Sequence, residues 1–411
     1  MEEWKEYKLL DIAEVQTGPF GSQLHNEDYV TVGTPIVTVE HLGNRQFSKQ
    51  NLPLVSNDDR KRLSKYSLQE GDIVFSRVGS VDRCSYVTES ENGWFFSGRC
   101  LRVRCRNNCH PLFLYYYFCK ESIKQYIRSI AVGATMPSIN TKLMADILVS
   151  LPDVEEQKRI ADFLSSIDSK IELNRRINDN LEQQAQALFK AWFVDNPNPY
   201  WEETTLSEVA SFIGGYSYKG DELADSSDIA MATIKNFGRN GGFKVDGFKD
   251  ITPSTKLKEC QYVDMFDVLV AHTDLTQNAD VIGNAELLLT YGKYDRVIFS
   301  MDLVKVLPKN NFPYKFLLAA MLKNKIFKGH CLGYVNGTTV LHLNKKALPE
   351  FEIRIPSEYE ARTMNDTLAP YFEQMAEVLQ ENERLILLRD TLLPKLMSGE
   401  LKISDIETAY E

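Results

Sequence analysis

The sequence predicts an α+β protein made of two tandem α/β-type globular domains. Two long helices separate them and pair as an antiparallel coiled coil, giving a pseudo-two-fold internal repeat. Three observations predict this: the chain resembles itself at a shift of about 200 residues, each repeat opens with short β-branched segments, and each closes with a Pro/Gly-poor helical stretch.

The repeat is read directly. Residues 133–188 align without gaps on 337–392, with eleven identities in 56 columns, among them Gly133/Gly337, Thr135/Thr339, Asn140/Asn344, Lys142/Lys346, Asn178/Asn382 and Leu188/Leu392. Average residue usage gives about three by chance. The openings agree at a shift of 197, through Trp4/Trp201, Leu9/Leu206, Ala13/Ala210 and Gly18/Gly215. A period this long is that of a duplicated domain, not of a solenoid. It divides the chain into a first domain (1–152), a central helix (153–199), a second domain (200–356) and a distal helix with tail (357–411).

Each domain starts with strand-like runs bounded by turn residues: Thr34–Leu42, Asp72–Val78 and Cys100–Cys105 in the first, DVLVAH and MDLVKVL in the second. Helical stretches follow, FLYYYFCKESIKQYIRSI and YKFLLAAMLKNKIFKGH. From Val154 to Val194 there is no Pro or Gly. Ile160, Ile167, Leu181 and Leu188 share one heptad position there, and Leu164, Ile171, Ala185 and Trp192 another. Tyr371, Val378, Leu385 and Leu392 make the matching stripe in the distal helix. Asn174, Asn178 and Asn382 interrupt the seam, where an Asn fixes register, or else they face solvent at the helix edge. Pro370 is expected to kink the distal helix, and Pro394 with Gly399 to end it. About 40 helical residues span roughly 60 Å, the reach of a spacer between two domains.

Composition narrows the class. With 43% hydrophobic and 25% charged residues the chain is of globular type. No apolar run approaches the roughly 20 residues of a membrane span, and the acidic opening MEEWKEYKLL lacks a signal-peptide core. Seven cysteines without an export signal read as reduced thiols in the cytoplasm. The net charge of −10 is carried by the helical segments, at −3 and −7; the domains stand at +1 and −1. Charge therefore neither demonstrates nor forbids DNA as a partner.

Catalytic motifs fail one by one. Asn196–Tyr200 (NPNPY) misses the methyltransferase tetrapeptide because its prolines are not adjacent, and it reads as linker. No phosphate-binding GxxxxGK[ST] loop occurs. Asp153 with Glu156 and Lys158 is too tightly spaced for a nuclease site and suits a helix start. Cys100, Cys105 and Cys109 with His110 invite zinc, but Cys100 and Cys105 fall on opposite faces of a strand, so no metal is expected.

Several segments resemble a known family. EEQKRIADFLSSIDSKIELNRRINDNLEQQAQALFKAWFVD (Glu155–Asp195) looks like the central region of the specificity subunits of Type I restriction-modification systems, and LLPKLMSGEL (Leu392–Leu401) resembles the end of their distal region. GPFGSQL, GDIVFSRVGSV and AHTDLTQNADVIG resemble segments of their target recognition domains. The resemblance spans essentially all of the chain. It implies a non-catalytic subunit that reads a bipartite, asymmetric target in double-stranded DNA. It further implies docking of two methyltransferase subunits, and through them of restriction/translocase subunits. S-adenosylmethionine would belong to the methyltransferases; no cofactor is expected in this chain. The rival readings are a stand-alone methyltransferase or nuclease, and a duplicated scaffold that reads no DNA.

Candidate readers are polar residues in glycine-bearing loops. In the first domain these are Gly21, Ser22, Arg77, Gly79, Ser80 and Arg83; in the second, His272, Thr273, Gln277 and Asn278. Arg pairs with guanine and Gln or Asn with adenine. Thr135, Asn140, Lys142, Thr339, Asn344 and Lys346 recur in both copies, which suits phosphate contacts, although turn and cap chemistry explains them as well. The helix seam residues named above are the candidates for coiled-coil and subunit docking.

Overall fold

The computed structural model describes residues 4–19, 23–239 and 241–410. It divides into two compact units, residues 1–169 with 386–411 and residues 170–385, so each unit holds one globular domain and a stretch of both long helices.

In the first unit, Lys5–Lys8 pairs antiparallel with Leu148–Leu151 and ties the start of the domain to its end. An antiparallel sheet follows in the order Ala13–Thr17, Cys100–Cys105, Ile73–Ser76, Cys84–Tyr86. A second sheet runs Tyr29–Val30, Leu54–Val55, Thr34–Val37, Phe95–Phe96, its last pair parallel. The first sheet is buried on both faces, and the two-residue period sorts its side chains. Ile73, Phe75, Leu101 and Val103 pack with the helices Pro111–Cys119 and Glu121–Ile130, whereas Val74 and Cys100 pack with the second sheet.

The second unit repeats this plan. Glu202–Thr205 pairs with Glu352–Ile355, and the central sheet runs Ala210–Gly214, Leu303–Pro308, Val268–Ala271, Ala285–Leu287. The other sheet again holds one parallel pair, Ile229–Ala232 beside Arg296–Phe299. A matched glycine shows why some identities recur. A Cβ on Gly18 would lie 2.2 Å from the Ser97 carbonyl oxygen, and one on Gly215 2.1 Å from that of Ser300. Only glycine fits so close to a neighbouring backbone.

The long helices are Val154–Lys190 and Glu358–Leu396. Asp153 starts the first, its carboxylate accepting from the Glu156 N–H at 2.9 Å, which gives the carboxylate of the nuclease-like motif a capping task. In the first unit Ile160 and Leu164 share a core with Leu393, Leu396 and Met397. Asp168 accepts from Arg389 of the other helix at 2.8 Å and from the Tyr116 hydroxyl at 2.7 Å. In the second unit Asn174 donates to Asn382 at 3.0 Å and to Glu381 at 2.8 Å, and Asn178 donates to the Met375 carbonyl at 3.3 Å. Numbers rising on one helix and falling on the other make the pair antiparallel. Asn174 and Asn382 are buried; Asn178 is half-buried.

Two sequence expectations gain detail. The distal helix runs unbroken through Pro370 and on past Pro394 to Leu396, with Gly399 (φ +73°) following the end. Pro370 and Asp366, whose carbonyl loses its i+4 donor, are both exposed. The seam is also broader than one stripe. Tyr371, Leu385, Leu392, Leu181, Leu188 and Trp192 are only half-buried, while Leu368, Phe372, Met375, Ala185 and Phe189 are buried. The helices bury a second face against their own domain, as in the stacking of Phe372 on Phe316 at 5.7 Å.

Candidate nucleic-acid interface

The candidate loops and the repeated Gly-x-Thr segments, far apart in sequence, come together in each unit. Gly133 and Gly337 adopt φ of +110° and +113°, turning hairpins in which Val132 bridges Ser138 and Asn336 pairs with His342. These angles belong to the left-handed region, which a side chain resists. Thr135 and Thr339 lie exposed in the turns.

Each hairpin holds a reading loop by the same backbone bonds. In the first unit Ile139 N–H donates to the Arg77 carbonyl at 3.0 Å, and Arg77 N–H to the Arg99 carbonyl at 2.8 Å. In the second, Leu343 N–H donates to the His272 carbonyl at 2.8 Å, and His272 N–H to the Asp302 carbonyl at 2.8 Å. Arg77 and His272 are thus equivalent positions carrying different side chains on one scaffold. Neither hairpin nor loop could form this junction alone, since the bonds cross about 60 to 70 residues of chain.

The first loop continues through Gly79, whose N–H donates to the Pro137 carbonyl at 2.8 Å and whose φ is +75°. Ser80 and Arg83 are exposed; Arg77 is half-buried, with its guanidinium donating to the Gly98 carbonyl at 3.2 Å. Gly21 and Ser22 lie outside the described residues. Asn140 caps the helix Thr141–Ala145 through the Leu143 N–H at 2.9 Å, and Asn344 accepts from the Lys346 N–H at 3.0 Å. Both amide side chains therefore do turn work that the sequence left open beside phosphate contact. Lys142 and Lys346 are exposed, the latter 3.7 Å from Glu350.

In the second loop Thr273 is buried, 4% exposed, on the strand Thr273–Asp274 that pairs with Leu341–Leu343. That burial corrects its place among residues reaching outward: the sheet period turns it inward. Gln277 and Asn278 are exposed, and Gln277 donates to the Thr338 carbonyl at 2.7 Å, joining loop to hairpin. Burial lowers the His272 pKa, helped by His342 and Lys345, which favours the neutral imidazole.

Sequence reasoning missed Leu275 and His342; Asp274, weighed from the sequence beside His272 for acid–base work against a nucleic-acid or structural contact, takes the structural task. Asp274, 2% exposed, accepts from the N–H groups of Thr276 (2.8 Å), Val281 (2.6 Å) and Ile282 (3.2 Å) and from the Thr276 hydroxyl (2.8 Å). Burial works to raise its pKa, but these donors prevail and hold it below the ordinary value. Leu275 projects from the loop that Asp274 organises, 67% exposed. His342 stands exposed between buried Leu341 and Leu343. An Asp opening a turn and the alternation of LHL were the available signals.

Cys105 and Cys109 are free thiols with sulfurs 3.1 Å apart, and no group of three His, Cys, Asp or Glu is placed to hold a metal among the described residues. Among those residues, no helix is long and apolar enough to cross a membrane.

Comparison with known proteins gives one answer. The HindI Type I restriction enzyme specificity subunit of Haemophilus influenzae is 25% identical, over 98% of this chain and 100% of the relative. The MjaIX specificity subunit of Methanocaldococcus jannaschii is 23% identical over 98% and 95%. The fold is shared with the crystal structure of a Type I restriction-modification S subunit from M. genitalium, at a TM-score of 0.54 and 17% identity over 96% of each chain. The family described as Type I restriction modification DNA specificity domain matches twice, over residues 1–183 and 198–385. Two equivalent loop-and-hairpin surfaces on one repeated scaffold are accounted for together by that double match: the chain belongs to the Type I restriction-modification DNA specificity family.

Proposed function

We propose that this chain is the non-catalytic, sequence-reading subunit of a Type I restriction-modification complex. It reads a bipartite, asymmetric target in double-stranded DNA, one half with each globular domain. It docks two methyltransferase subunits and, through them, restriction/translocase subunits. S-adenosylmethionine is bound by the methyltransferases, and the complex works in the cytoplasm.

One observation carries this reading: Arg77 and His272 sit at equivalent positions, held by the same pair of backbone hydrogen bonds, with different side chains. A duplicated scaffold with unequal readers suits two unequal half-sites. Arg77 can address guanine, whereas Gln277 and Asn278 suit adenine. Leu387 and Leu388 on the distal helix, 69% and 42% exposed, and Leu173 on the central helix, 46% exposed, are apolar positions of the kind a docked subunit covers.

Methylome sequencing of a host carrying the complete system tests the proposal. A split adenine-methylated motif is expected; a contiguous motif, or no adenine methylation, would contradict it. Arg77→Ala is expected to relax discrimination in one half-site by about 1–3 kcal/mol, roughly 5- to 150-fold. Competition binding with duplexes altered in either half checks this, and equal loss in both halves would refute independent reading.

A further inference from the structure

In the first unit a cavity of about 290 Å³ opens beside the reading loop, lined by Ser80, Asp82, Arg83, Cys84, Cys119 and Lys124, among others. Arg83 is exposed and Lys124 half-buried. Neither side chain makes a hydrogen bond or ion pair among the described residues. The one acid of this group, Asp82, is already paired with Arg128. The lining therefore presents two cations without an internal counter-charge.

The second repeat treats the same place differently. Cys84 lies opposite Phe75 as Ala285 lies opposite Val270, so Arg83 corresponds to Asn284 and Ser85 to Glu286. The helix starts at Glu121 and Lys325 bring Lys124 onto Lys328 and Cys119 onto Lys323. Lys328 donates to Asn284 Oδ1 at 2.7 Å and to the Asp280 carbonyl at 2.6 Å. Lys323 is paired with Glu286 and lies 3.0 Å from Glu182. Both ammonium groups thus find acceptors within the chain. In the first repeat the lysine remains at 124, but its Asn partner is replaced by a second cation, Arg83. Ser85, in place of the glutamate, spends its hydroxyl on the Gly43 carbonyl at 3.0 Å. Two like charges beside one cavity repel unless an anion joins them. The next residue along the loop, Gly79, has open space where a Cβ would stand, so a bulky strand can approach its backbone.

We infer that this cavity takes a phosphate group, that of the bound DNA strand, held between Arg83 and Lys124 with the Ser80 hydroxyl beside them. The inference rests on the DNA-reading function proposed above. It gives Arg83 a sequence-independent task, and it adds Lys124, which the sequence did not single out. A free nucleoside phosphate carries the same chemistry, so the test separates the two sources.

The assembled complex is titrated with target duplex across a salt series, as wild type, Arg83→Asn and Lys124→Gln. Arg83→Asn installs the Asn–Lys pair of the second repeat, so thermal stability should hold, which melting verifies. Each variant is expected to reduce the slope of log Kd against log salt by about 1, with the ranking of target sequences unchanged. An unchanged slope, or an altered base preference in Arg83→Asn, would overturn the assignment. Inorganic phosphate is titrated separately into the complex without DNA. Saturable binding lost in both variants, with the DNA slope unchanged, would overturn the strand as the source in favour of a free ligand. Wild-type complex that shows no sequence-selective, salt-dependent DNA binding would refute the proposed function instead; the cavity would then stand or fall on the phosphate titration.

Discussion

Replacing Lys323 by methionine is expected to destabilise the second unit by about 3–5 kcal/mol, because it leaves a buried carboxylate without its counter-charge. Lys323 and Glu286 are both buried, at side-chain exposures of 8% and 4%, and Glu182 completes the group from the central helix. Burial alone would lower the Lys323 pKa, but Glu286 and Glu182 outweigh it and hold the ammonium well above its ordinary value. Burial already pushes the Glu286 carboxyl up, and loss of Lys323 would push it further. A carboxyl whose pKa is raised in the folded state favours folding below its unfolded value and loses that contribution as pH rises through the folded one. The deficit of the variant should therefore shrink towards pH 5 and be largest above neutrality. Chemical denaturation of both proteins at pH 5 and pH 8 measures it. An equal deficit at the two pH values would mean that lost packing, not the stranded charge, sets the cost.

Asp274→Ala is expected to have the second large effect, on recognition more than on the fold. It removes the acceptor shared by three backbone N–H groups and one hydroxyl, at a site 2% exposed. Each buried donor left unmet costs about 1–3 kcal/mol. Water entering the loosened loop relieves part of this, so about 3 kcal/mol in total is expected. The 275–281 loop then loses its shape, and with it the placement of Leu275, Gln277 and Asn278. Discrimination at the second half-site should fall at least tenfold while the first half-site is read as before. Binding to duplexes randomised in one half at a time decides this, and unimpaired reading of the second half would remove Asp274 from the recognition machinery. The low pKa of Asp274 adds an acid limb. A carboxylate held below its unfolded pKa contributes stability above that value and loses it as pH falls through the folded one. Wild type should accordingly loosen in this loop only under strongly acidic conditions.

Much of this was legible because it depends on short periods. The helices announced themselves through an apolar recurrence and the lack of Pro and Gly, and Asp153 through its place before the first turn. The glycine pairs 18/215 and 133/337 were visible as identities, though the backbone clash and the positive φ behind them were not. Other features needed more than a local period. Pro370 was expected to kink the distal helix; the helix continues through it to Leu396, with Asp366 exposed. Tyr371 and Leu385 lie half-buried on the stripe, because each helix also packs on its own domain, a second partner that a single stripe does not count.

By itself, the sequence determined the duplication, the alternation of sheet domains with long helices, and the family, since each is written in residue identities at fixed spacing. Only the tertiary structure decided which side chains share a surface. Hydrogen bonds from Ile139 and Leu343 reach back about 60 to 70 residues to Arg77 and His272, and Lys124 acquires its meaning only beside Arg83. Such junctions are fixed by where the sheets and helices pack, and packing of distant segments leaves no local period in the chain to read.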